Sequence, residues 1–184
     1  MINILNKSNF VFKDQLNKYE GKVRDVYTLN NNILVMIASD RISAFDVVMP
    51  KGITYKGQIL NQIAVEMLNK TSDIVPNWLI SNPDPNVSIG KKCNPIKVEM
   101  VVRGYMTGST STSIWTKYKQ GERHLYGLDF RDGYQKNEKL DEIIVTPTTK
   151  GVTDVPITLK EIVDQEYLSQ EQLDFIVSKS LELF

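Results

Sequence analysis

What is scarce in this 184-residue sequence narrows its chemistry first. Cysteine occurs once, at Cys93, so no internal disulfide can staple the fold, and a reducing compartment is the expected setting. Histidine also occurs once, at His124, which excludes a His-rich metal site and leaves a Cys–His nucleophilic pair without support. Neither charge sign is in excess. The 22 Lys and Arg balance 22 Asp and Glu, so no global field draws the chain to nucleic acid or to an anionic membrane, and any anion site must be local. No apolar run is long enough to span a bilayer, and Met1 to Leu5 is too short and too polar for a secretory signal; the cytoplasm is the expected location. The 41% hydrophobic and 24% charged residues suit one globular domain, or two closely packed subdomains, with a real core.

What is present is organised around KVEMVVRGYMTGS, Lys97 to Ser109. Its apolar run from Val98 to Val102 reads as a buried strand that closes at Arg103 and Gly104. Gly108, Ser109 and Thr110 follow and are read as opening a helix over Ser109–Tyr118. A guanidinium, a glycine and hydroxyls at a strand end are what a bound phosphate needs; the other reading is a core strand with a surface arginine.

Upstream, Phe10 to Leu16 is read as one or two helical turns. Gly21 to Ala38 is read as an antiparallel hairpin turned at Asn30, Asn31 and Asn32. Gly21, Lys22 and Arg24 at its entrance could hold a polyphosphate or form a solvated rim. The polar run from Ser39 to Asp46 reads as a ligand loop or as a capped turn with a local salt bridge. A helix follows, its stripe of Ile59, Leu60, Ile63, Met67 and Leu68 assigned to the core. After a short strand at Trp78–Ser81, the Pro-rich run Asn82–Pro95 marks a boundary between subdomains 1–95 and 96–184. Gly127 to Glu142 is an excursion with little strand character. Ile143 to Val145 is a strand leading to Thr146, Pro147, Thr148, Thr149 and Lys150. Two capped helices, signalled by Thr158/Glu161 and Ser169/Gln172, close the chain. The apolar face of the second reaches Phe184 without a polar stop, so a longer sequence is expected.

Four motifs in order, GKVRDVY at 21–27, SDRISAFD at 39–46, VEMVVRGYMTGS at 98–109 and TPTTK at 146–150, resemble the phosphoribosylaminoimidazole-succinocarboxamide synthase (SAICAR synthetase) family. The resemblance implies an ATP-grasp-like α/β (α+β) fold with a largely antiparallel N-terminal sheet. It implies a ligase of purine biosynthesis that joins L-aspartate to carboxyaminoimidazole ribonucleotide (CAIR), using ATP and magnesium. Carried onto this sequence, Gly21, Lys22, Val23 and Arg24 would cover the ATP phosphates. Glu99 and Met100 would present backbone groups to adenine. Arg103, Gly108 and Ser109 would bind the CAIR phosphate, and Ser43, Ala44 and Asp46 would meet the ribonucleotide or the aspartate. Lys150 and Asp154 would sit by the triphosphate, with Lys22 and these two as the catalytic set and Asp154 as a metal ligand. Lys56 and Gly57 extend the same cleft. The partners are then small molecules, with a homo-oligomer left open. Family members continue into further segments that hold magnesium and substrate, so the resemblance also implies a shortened C-terminus. The rival readings are an inactive nucleotide-binding fragment and a kinase-type phosphotransferase; the sequence lacks the catalytic Asp and Asn loop that the second requires.

Overall fold

The computed structural model describes residues 4–44, 47–151 and 154–184, and the chain forms two compact units, Met1–Asn94 and Pro95–Phe184. The fold is α+β. Asp46, one of the residues expected to contact substrate, lies outside the described residues.

The first unit is built on β1 (Gln15–Glu20), β2 (Arg24–Leu29) and β3 (Ile33–Ala38), followed by the short pair β4 (Ser43–Ala44) and β5 (Val47–Val48), helix α1 (Lys56–Lys70), β6 (Leu79–Asp84) and β7 (Val87–Lys91). Five strands make one antiparallel sheet in the order β1-β2-β3-β7-β6. The β2–β3 hairpin follows the alternation in the sequence, and Asn31 and Asn32 take the left-handed backbone that their short polar side chains tolerate. Its inward face buries Tyr27, Val35 and Ile37 against Phe12, Leu29, Val87 and Ile89.

Three elements of this unit depart from the sequence reading. Phe10 to Leu16 is not helical: Phe12 packs edge-on against Tyr27 at 5.1 Å, Asp14 is left-handed at φ 62°, and β1 starts at Gln15. Tertiary packing of the aromatics wins over local helix formation. Most of the Pro-rich run after Trp78, as far as Lys91, is a hairpin rather than a connector, and the two units divide at its end, after Asn94. Proline is tolerated there because β6 is an edge strand, while β7 lies between β3 and β6. Gly90 of β7 is required, since a Cβ would sit 2.1 Å from the Trp78 ring. Helix α1 forms as read, but it packs by its opposite face. Gly57 lies under the Ala38 carbonyl, and buried Asn61 bonds Pro85 O at 3.0 Å and Ser88 Oγ at 2.8 Å. Ile59, Leu60, Ile63 and Met67 are therefore exposed.

At one end of the sheet a carboxylate and a guanidinium are buried together. Asp25, fully buried, accepts from Arg41 Nη2 at 2.8 Å and from the Ser8 N–H and hydroxyl, both at 2.7 Å. The Ser8 proton goes to the carboxylate, so the Tyr27 hydroxyl, 2.9 Å away, donates to Ser8. No buried side-chain polar atom among the described residues lacks a partner.

The second unit contains β8 (Val98–Glu99), β9 (Val102–Met106), α2 (Ile114–Lys119), β10 (His124–Leu125), β11 (Leu128–Asp129), β12 (Glu138–Val145), β13 (Thr148–Thr149), α3 (Leu159–Asp164) and α4 (Gln170–Leu183). The central run is two strands rather than one: β8 pairs with β13 and β9 with β12. Pro147 has no N–H to give a ladder, and the partner strand breaks there between β12 and β13. β9 continues past Arg103 to Met106, which is fully buried in a cluster with Ile114, Tyr118, Leu125, Tyr134, Leu140 and Ile144. The strand expected only from Ile143 begins at Glu138 for the same reason, since Leu140 and Ile144 fill that cluster. Helix α2 starts at Ile114, later than read, because Ser113 turns its hydroxyl onto the Thr110 carbonyl at 2.8 Å and competes with helical bonding. Both closing helices carry the capping boxes read from the sequence. Their contact buries Ile157, Ile162, Leu168 and Leu173.

The buried pair fixes how stability depends on pH. Burial alone would push the Asp25 carboxyl up, but the hydrogen bonds from Ser8 and Arg41 outweigh it and hold it below the usual carboxylate range. Asp25 therefore contributes stability above the unfolded value of about pH 4, and this is lost as pH falls through its lower folded value. Asp25→Asn leaves the Arg41 charge without its counter-charge and should cost about 3–5 kcal/mol at pH 7 in urea unfolding. A loss under 1 kcal/mol would show that the pair does not hold this unit together.

Candidate functional site

The turn between β1 and β2 is formed by Gly21, Lys22 and Val23 and is held from beneath. The Gly21 carbonyl accepts from Arg41 Nη2 at 2.8 Å and the Lys22 carbonyl from Arg41 Nε at 3.1 Å. The Val23 carbonyl accepts from the N–H and hydroxyl of Ser39 at 3.1 and 2.9 Å. All peptides here are trans, so carbonyls turned inward send the next N–H groups, those of Lys22 and Val23, outward. Lys22 and Arg24 are exposed beside them. Lys56, at the start of α1, has its pKa pushed down by burial and then by the Arg24 charge. Cations beside outward N–H groups are the features that a bound polyphosphate requires.

Other expected residues of this unit serve the fold. The Gly57 N–H donates to Asp40 Oδ1 at 3.0 Å, and its missing Cβ lets α1 reach the sheet. Ser43 and Ala44 form one side of the β4–β5 hairpin, paired with Val48 and Val47. Arg41, read as part of a ligand loop, is buried and committed to the turn and to Asp25.

The second unit contains a cavity of about 490 Å³. Arg103, Gly108, Ser109, Glu99 and Asp154, all named from the sequence, line it. Arg103 is fixed at its base by its pairing with Ile144, and its Nε donates to Thr146 Oγ1 at 2.8 Å. Gly108 is needed for the wall's own shape: its φ is +118°, and a Cβ would lie 2.3 Å from Ser113 Cβ. Lys150 bridges two acids, with Nζ 2.6 Å from Asp154 Oδ2 and 2.7 Å from Glu99 Oε2. The hydrogen bond to Asp154, then that to Glu99, raises the Lys150 pKa and keeps it charged. The Glu99 side chain thus meets Lys150, while its backbone pairs with Thr148, and Met100 packs on the cluster around Ile162. Asp154 is the wall acid that could meet a cation, but no three His, Cys, Asp or Glu side chains gather to hold a metal among the described residues.

Sequence reasoning missed one residue beneath this cavity and one on its wall. Thr146 was visible within TPTTK but had no role until the fold placed it under Arg103. Tyr126 reaches the wall because it and Gly127 form the two-residue turn of the β10–β11 hairpin with positive φ at both positions. The Tyr-Gly pair was the available signal.

Comparison with known proteins shows what the whole chain is similar to. The family model described as SAICAR synthetase matches residues 17–184. A phosphoribosylaminoimidazole-succinocarboxamide synthase of Azobacteroides pseudotrichonymphae genomovar. CFP2 is 49% identical over 185 residues, covering 100% of this chain and 56% of the relative. That of Bacteroides thetaiotaomicron is 49% identical over 183 residues, covering 98% and 57%. The chain therefore spans little more than half the length of the curated relatives it matches. A solved SAICAR synthase from Saccharomyces cerevisiae, complexed with SAICAR, superposes with TM-score 0.76 at 27% identity, covering 92% of this chain and 60% of that one. With a family model spanning all but the first 16 residues and relatives at this identity, the chain belongs to the SAICAR synthetase family.

Proposed function

We propose that the chain supplies the nucleotide-phosphate and substrate-phosphate sites of a cytoplasmic, ATP-dependent ligase joining L-aspartate to CAIR. The reaction gives SAICAR, ADP and phosphate, a step of de novo purine biosynthesis. The observation that carries this reading is Arg103, fixed at the wall of a hydroxyl-lined cavity with its Nε occupied and its two terminal nitrogens bonded to no other described residue. Such a fork suits a phosphate monoester, which accepts two parallel N–H bonds. That the yeast relative was solved with SAICAR, a phosphorylated ribonucleotide, supports the same ligand class.

A carboxylate does not react with an amine until its oxygen becomes a leaving group. ATP achieves this by phosphorylating the CAIR carboxylate, and the aspartate amine then displaces phosphate from the acyl phosphate. The protein's part is to position the reactants and to stabilise negative charge. Lys22, with the outward N–H groups of its turn, takes the ATP phosphates; Arg24 and Lys56 add charge beside it. Arg103 and Ser109 hold the CAIR phosphate beside Gly108. Of the two residues assigned to adenine, Glu99 and Met100, Met100 is the one whose backbone lies beyond the β8–β13 pairing, and Ser43, Ala44 and Asp46 belong to the ribonucleotide or aspartate. Lys150 serves the triphosphate, its charge kept by Asp154 and Glu99. Magnesium would shield the triphosphate. Asp154 is its one candidate ligand here, and its bond to Lys150 leaves it a poor ligand by itself.

Two variants separate the sites. Arg103→Ala removes charge-assisted bonds and should weaken CAIR binding by about 1.5–3 kcal/mol while changing ATP affinity little, by calorimetry. Equal losses for both ligands would reject the role. Lys22→Ala should show the opposite selectivity, and a CAIR titration weakened as much as the ATP one would remove Lys22 from the nucleotide site.

A further inference from the structure

The proposed phosphate site rests on one arginine, and an arginine is a poor anchor unless something holds it. Its side chain has four rotatable bonds, and ordering them opposes binding. Thr146 meets this requirement in an uncommon way. It is fully buried, one residue beyond the end of β12, and its hydroxyl is used twice. As donor it bonds the Val101 carbonyl at 3.2 Å, and as acceptor it receives Arg103 Nε at 2.8 Å. The Thr146 N–H also donates to the Val101 carbonyl at 2.8 Å, which fixes the backbone beneath. A hydroxyl has one proton. Because that proton is committed to Val101, a lone pair must face Arg103, and the hydroxyl cannot rotate to repel the guanidinium.

Pro147 locks the next residue, and β9 fixes Arg103 through its pairing with Ile144. One end of the Arg103–Thr146 bond therefore stands on β9 and the other on the fixed backbone just beyond β12. The bond occupies the inner nitrogen of the guanidinium and leaves the outer pair for a ligand at the cavity wall.

We infer that Thr146 is a positioning residue, which holds the Arg103 guanidinium with its terminal nitrogens presented to the phosphate of the bound ribonucleotide. This inference rests on the assignment of Arg103 to the CAIR phosphate. Only the hydroxyl is needed, so serine should replace threonine, whereas valine, of nearly the same shape, should not.

The test uses the full chain, with CAIR as the titrant in calorimetry, and compares Thr146→Val, Thr146→Ser and Arg103→Ala. Thr146→Val is expected to weaken CAIR about three- to tenfold, the scale of one lost hydrogen bond, with Thr146→Ser close to the unaltered chain and Arg103→Ala weaker than either. If Arg103→Ala loses affinity and Thr146→Val does not, the positioning role is overturned while the phosphate assignment stands. If the folded Arg103→Ala variant binds CAIR unchanged, the phosphate assignment fails and the inference with it. Should Thr146→Val not fold, the unaltered chain decides: the Arg103 Hε proton, assigned by its loss in Arg103→Lys, is expected to exchange with solvent far more slowly than that of exposed Arg24. Equal exchange rates would overturn the proposal.

Discussion

A guanidinium withdrawn from water must find an acceptor for each N–H it cannot leave hydrated, and that requirement shapes both units of this chain. Arg41 satisfies it almost entirely within the protein. Its donors reach the carbonyls of Asn6, Gly21 and Lys22 and the carboxylate of Asp25. The β1–β2 turn, the N-terminal segment and the second strand are thereby tied to one side chain. Arg103 satisfies it only in part, through Thr146. The same chemical group is structural where its valences are filled and available for a ligand where they are not.

The electrostatics of the two units follow a similar division. In the first, cations converge: burial and Arg24 both disfavour the charged form of Lys56, the arrangement an incoming polyanion relieves. In the second, Lys150 holds Glu99 and Asp154 together, so two acids at the cavity wall repel an anion at Arg103 less than free carboxylates would. Neither feature depends on the net charge of the chain, which is zero.

Legibility in the sequence tracked how local each cause was. The β2–β3 hairpin, with its Asn turn, and both capped closing helices come from neighbouring residues and were readable. The α1 stripe misled because its spacing is helical while the buried side is chosen by Gly57 and Asn61, two residues that no apolar pattern marks. β7 was hidden by the prolines just before it, Pro83 on the edge strand β6 and Pro85 in the turn, and β1 by aromatics whose partner, Tyr27, is distant in sequence. At the candidate site, Arg103 and Ser109 were named from their motif and line one cavity. The partner of Arg103, 43 residues away, is a consequence of strand pairing and could not be read locally.

The central claim is that the substrate phosphate enters the cavity of the second unit and the nucleotide phosphates meet the turn of the first. A CAIR titration of the isotopically labelled chain, followed by amide NMR, tests this most directly. The account predicts shifts concentrated at Arg103, Gly108, Ser109 and Thr146, with Gly21 to Arg24 unmoved. Shifts centred on Gly21 to Arg24, with the cavity silent, would contradict it.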